Sequence, residues 1–128
     1  MMKDFTVLAG RLLLALIFIL SGWGKIKGYA GSQQYMESMG VSGALLPLVI
    51  FAELGGGLAI AFGLLTRLAA VGLAVFCLLA AVFFHTDFSN PMQFISFMKN
   101  LAIAGGFFVL SAHGPGAFSI DAWRQRRT

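Results

Sequence analysis

The sequence predicts an all-α membrane protein, a four-transmembrane-helix bundle with a short periplasmic interfacial helix in its first connection. Three observations point there. Of the 128 residues 59% are apolar and only 11% are charged, with a mean hydropathy of +0.86, more apolar surface than a water-soluble domain can hide. The apolar residues gather into four runs, at about 7–24, 44–65, 68–84 and 94–112, each close to the ~20 residues a helix needs to cross the hydrocarbon core. The 16 glycines suit membrane helices, where small residues let neighbouring backbones approach.

The first run follows Lys3, as a signal peptide would, but Arg11 interrupts it and Ser21-Gly22-Trp23-Gly24 is a poor cleavage site, so it is expected to be retained. In the first connection Ser32 can cap a short helix through Met39, with Tyr35, Met36 and Met39 on one side and Gln34 and Glu37 on the other. The second connection is only Thr66-Arg67, which makes the flanking helices antiparallel neighbours. Pro91 punctuates the third connection, and Gly114-Pro115-Gly116 ends the fourth helix. No repeat or domain boundary is visible, so residues 1–128 read as one transmembrane domain.

Four spans put both termini on one side. Lys3, Arg67, Arg124, Arg126 and Arg127 lie on that side, against Lys25 and Lys27 on the other. The positive-inside rule then makes the termini cytoplasmic in a bacterial inner membrane. The net charge of +4 is not gathered into a stripe that could follow a phosphate backbone, so nucleic acid is not an expected partner. The single cysteine, Cys77, sits in an apolar run and reads as a packing residue; dithiol chemistry within one chain is excluded. No metal-binding motif or nucleotide fingerprint is present, and His85 and His113 fall on opposite sides of the membrane, which excludes a haem held between them.

Ionisable residues within spans are costly and mark candidate sites. They are Arg11, Glu53 and Lys99, with Lys25 and His85 at the outer helix ends. Arg11, Ala15, Phe18, Gly22 and Lys25 share one face of the first helix, and Glu53 shares a face with Gly56, Gly57 and Ile60. At 1.5 Å rise per residue Lys99 lies within about 6 Å of the depth of Glu53. The expected core is therefore a Glu53–Lys99 ion pair, with Asn100, His85 and Lys25 toward its periplasmic mouth and Arg11 on the inner side. Competing readings are a pair that only fixes helix register, an Arg11 that snorkels to the interface, and a solvated His85 in its loop.

Several stretches in this order and spacing resemble the DoxX family of bacterial inner-membrane proteins, especially its short enterobacterial-type members. They are Gly10-Arg11, FILSGWGKIKGY (18–29), QQYMESMG (33–40), ELGGGLAIAFGLLTR (53–67), KNLAIAGG (99–106) and GPGAFSID (114–121). The resemblance implies four transmembrane helices and a polar core of Arg11, Lys25, Glu53, Arg67, Lys99 and Asn100. It also implies redox company: some relatives are the membrane subunit of a thiosulfate:quinone oxidoreductase, and others belong to oxidative-stress assemblies. The function expected is thus redox-associated, with a quinone or similar aromatic ligand held between the helices. Phe18, Phe51, Phe84 and Phe97 are candidate walls, and Lys99, Glu53 and His85 candidate hydrogen-bonding groups. The alternatives are a small-solute or proton conductor and a non-catalytic scaffold subunit. Compatible partners are the lipid bilayer, an oxidoreductase and further copies of the chain.

Overall fold

The computed structural model describes residues 2–127; the side chain of Arg127, one of the charges used above for topology, lies outside that description. The described residues form helices and connecting turns: α1 (Met2–Lys27), α2 (Tyr29–Ser38), α3 (Leu46–Ile50), α4 (Gly56–Phe62), α5 (Thr66–Phe84), α6 (Pro91–His113) and α7 (Ile120–Arg127). A 3-10 turn at Gly43–Leu45 leads into α3, and a π-helical turn at Phe51–Gly55 joins α3 to α4, so Gly43–Phe62 runs as one span. That span, α1, α5 and α6 are the four helices long and apolar enough to cross a membrane. Their outward faces agree: Leu13, Phe51, Leu68 and Val109 are each at least 70% exposed, which suits lipid rather than water.

Each boundary has a local cause. α1 begins at Met2 rather than near residue 7, because Asp4 in the first turn and Lys25 and Lys27 in the last both favour the helix dipole. At 26 residues it is about 39 Å long, which exceeds a ~30 Å hydrocarbon core and carries its charged ends out of it. The second span stops at Phe62, short of residue 65, because Gly63 turns left-handed (φ +71°). α6 starts at Pro91, whose missing N–H costs nothing at the first helical position, and Asn90 caps it by accepting from the Met92 N–H at 2.9 Å. α2 starts at Tyr29, three residues before the expected Ser32 cap, since its first turn runs on from α1 through Gly28. Met36 is its buried residue, while Tyr35 stacks on Phe84 at the end of α5 with ring centroids 5.7 Å apart.

Glycine sets how closely α1 meets the second span. A Cβ at Gly22 would lie 3.0 Å from the Leu54 backbone nitrogen, and one at Gly57 would press on Phe18 and Ile19. α5 packs along α6, and Phe18 joins the two pairs through Phe107 (5.5 Å) and Phe76 (6.5 Å). Ala15, Ile60, Ala70, Ala74 and Ala104 fill the space around these rings. The chain ends meet at one end of the bundle, where Phe5 lies 5.0 Å from Phe118 and Asp4 Oδ1 accepts from the Ala117 N–H. The α2 segment covers the other end.

Candidate functional site

Halfway along the second span the π turn places five residues, Phe51 to Gly55, where the hydrogen-bond ladder is one residue wider than in an α-helix. Glu53 sits at its centre and points inward, 5% exposed. Because α1 crosses at the Gly22–Leu54 contact, Ser21 and Lys25 on the same α1 face come against that carboxylate. Ser21 Oγ donates to Glu53 Oε2 at 2.9 Å, Lys25 Nζ donates to Ser21 Oγ at 2.7 Å, and Lys25 Nζ lies 2.7 Å from Glu53 Oε1. Oε1 takes the charge without a directed hydrogen bond. The carboxylate therefore keeps one accepting site open.

This triangle forms part of the wall of a cavity of about 960 Å³. Tyr35 and Met36 of α2, His85 and Asn100 are also on its lining, and Ile17, Val75, Leu79 and Ile103 are among the side chains that make the rest of the wall apolar. Leu48, Leu79 and Phe83 are on its lining and also exposed on the bundle surface, so the cavity opens sideways toward the surroundings of the spans. The volume suits a drug-sized or cofactor-sized molecule.

The structure brings together Lys25, Glu53, His85 and Asn100, and leaves Lys99 out. Lys99 is exposed, and Glu53 pairs with Lys25 instead. The expectation of a Glu53–Lys99 pair used depth alone, and the helix rotates the lysine away: Ala104, Phe107 and Leu110 mark the buried face of α6, and Asn100, four residues before Ala104, shares it while Lys99 does not. Of the expected aromatic walls, Phe18 and Phe84 line the cavity. Phe51 is 75% exposed, and Phe97 packs on Phe88 at 5.1 Å; Phe76 and Phe83 take their places. Ser21 was not among the expected residues, although its spacing of four from Lys25 was the available signal.

Arg11 belongs to a separate cluster about 21 Å from Lys25 along α1. Rather than snorkelling, it is 1% exposed. Its guanidinium donates to the carbonyls of Ile60 (3.1 Å), Ala61 (3.0 Å), Pro115 (2.7 Å) and Phe118 (2.9 Å). Two of those carbonyls lie at the C-terminus of α4, where Ile60 also accepts from the Gly63 N–H, and two belong to the loop after α6. Arg67 does the same for α6, donating to Ser111, Ala112 and His113. Asp121 completes the set by accepting from the Leu65 and Thr66 N–H groups, both at 2.8 Å, at the start of α5. Each charge answers backbone groups at or beside a helix end.

Burial would raise the Asp121 carboxyl, but the N–H groups of Thr66 and Leu65 and the nearby Arg124 outweigh it and hold the carboxyl below its ordinary value. A group depressed in the folded state contributes stability that is complete above its unfolded pKa, about 3.9, and is lost as pH falls through the lower folded value. Asp121→Ala should cost about 1 kcal/mol at pH 7 through loss of the cap, and the gap between variant and native melting curves should close as the pH is taken below about 4. A gap that stays constant through that acid range would remove the charge from this account.

The DoxX family model matches residues 6–86, which include Arg11, Ser21, Lys25, Glu53 and Arg67. Inner membrane protein YqjF of Escherichia coli (strain K12) is 57% identical over 120 residues, covering 94% of this chain and 92% of the relative. Inner membrane protein YphA of the same organism is 36% identical over 126 residues, covering 93% of this chain and 90% of that relative. No solved structure gives a significant match. A family match over more than half of the chain, a near full-length relative at this identity and four apolar helices together establish that the chain belongs to the DoxX family.

Proposed function

We propose that this chain is a redox-associated protein of the bacterial inner membrane, with both termini cytoplasmic, whose cavity receives a quinone-like ligand. The observation that carries the reading is the Ser21–Lys25–Glu53 triangle, set by a π turn into the wall of an otherwise apolar cavity. Lys25 donates one N–H to Ser21 and balances the charge of Glu53 without a directed hydrogen bond to Oε1, which leaves N–H groups for a ligand carbonyl. Glu53, with an accepting site to spare, can exchange a proton with the oxygen held there. The apolar walls suit the ring and tail of a lipid-soluble carrier, and the sideways opening lets such a molecule arrive from the bilayer. An oxidoreductase partner would exchange electrons with it. The orientation rests on the excess of Lys and Arg at the terminal end of the bundle, where α2 at the opposite end would lie along the periplasmic interface.

The test is retention of quinone. The purified native chain in a mild detergent should bind a short-chain ubiquinone analogue, and Glu53→Gln combined with Lys25→Met should fold yet bind it at least about tenfold more weakly, as expected for loss of a charge-assisted hydrogen bond. Equal binding by the folded double variant would leave the triangle a structural device and favour the scaffold reading.

A further inference from the structure

The end of the bundle opposite the triangle holds a second cavity, about 910 Å³, where α5 begins, α6 ends and α7 folds back. Its charge differs from that of the first. There the lysine is neutralised by Glu53; here Arg67, Arg124 and Arg126 line one space with a single carboxylate, Asp121, among the described lining residues. That carboxylate is already turned onto the Leu65 and Thr66 N–H groups. Arg67 and Arg126 donate only to neutral carbonyls in their recorded bonds, those of Ser111, Ala112, His113 and Ala117, so hydrogen bonding does not cancel their charge. All three arginines are exposed, as are Leu65 (55%) and Leu68 (72%) beside them.

We infer that this cavity is a binding site for the phosphodiester headgroup of an anionic phospholipid. Both halves of such a molecule find a complement there: surplus positive charge for the phosphate, and exposed leucines on the adjoining apolar helix for the acyl chains. Basic pockets between helix ends at a membrane surface recognise lipid headgroups in this way, each cation near the surface strengthening attachment several-fold. A guanidinium can grip phosphate oxygens in a bidentate way, and the surplus positive charge favours a head with net negative charge over a zwitterionic one whose own cation offsets its phosphate. The site is independent of the quinone reading, since it shares no lining residue with the first cavity.

The experiment is native mass spectrometry of the full chain, released from detergent with equal amounts of phosphatidylglycerol and phosphatidylcholine. Phosphatidylglycerol adducts should predominate by about tenfold. Arg124→Gln with Arg126→Gln should remove most of that preference, while the corresponding double lysine variant keeps much of it; both pairs lie at exposed positions and should melt like the native chain. Equal retention of the two lipids, or an undiminished preference in the double glutamine variant, would overturn the assignment. Displacement of phosphatidylglycerol by an equal concentration of inorganic phosphate would make the site one for a free anion and would equally overturn the lipid assignment.

Discussion

Arg11→Met should destabilise the chain by roughly 4 kcal/mol, the largest effect expected of any single substitution. Four carbonyls share its guanidinium, those of Ile60, Ala61, Pro115 and Phe118. The side chain is buried, so water cannot simply replace the lost donors; Ile60 keeps the Gly63 N–H, while the carbonyls of Ala61, Pro115 and Phe118 are left short at about 1–1.5 kcal/mol each. Against a total stability on the order of 5–15 kcal/mol this approaches the whole margin. Arg11→Lys should recover less than half, because a single ammonium cannot fan its donors toward two helix ends at once. Thermal melts in detergent decide the matter: a methionine variant that melts with the native chain would mean that the clamp contributes nothing to stability.

Glu53→Gln should cost about 3 kcal/mol by leaving Lys25 without its countercharge, and Lys25→Met should cost a similar amount by stranding the carboxylate. Combined, the two should cost distinctly less than their sum, since neither charge is then left alone. Lys99→Met should fall within about 0.5 kcal/mol of the native chain, as befits an exposed position. A double-mutant cycle with strong coupling between positions 53 and 99, and none between 25 and 53, would reverse the pairing described here.

Much of this arrangement was legible in the sequence, and the part that was not has a geometric explanation. Spacings of three and four on the first helix pick out Arg11, Ala15, Phe18 and Gly22, and those are the residues α1 buries. The apolar runs locate the four long helices, because length and hydropathy are one-dimensional properties. Pairing across helices needs two coordinates, height and rotation. Lys99 has the right height for Glu53; the series Asn100, Ala104, Phe107 shows that its rotation is wrong, and that series could have been read beforehand. The roles of Arg11 and Asp121 were harder to foresee, since their partners are main-chain atoms from segments distant in sequence, and a residue string carries no sign of which carbonyl a loop will present. The left-handed turn at Gly63 sets that meeting, with the guanidinium of Arg11 and the side chain of Ser119 close against it.

The π turn at Phe51–Gly55 means that the second span carries one residue more than a regular helix of the same height would hold. An α-helix advances about 100° per residue, so that extra residue sets α3 out of phase with α4 by about that angle. The two halves thereby obey separate demands: α4 keeps Gly57 and Ile60 against α1 and the core, while α3 turns Leu48 and Val49 toward the cavity. Removing one residue from the turn would restore an unbroken ladder and bring both halves into a single rotational register. The bundle below could survive that deletion intact, but the upper wall of the cavity would be wound around to a different neighbour, so the insertion separates the fold's packing requirement from the shape of its binding space.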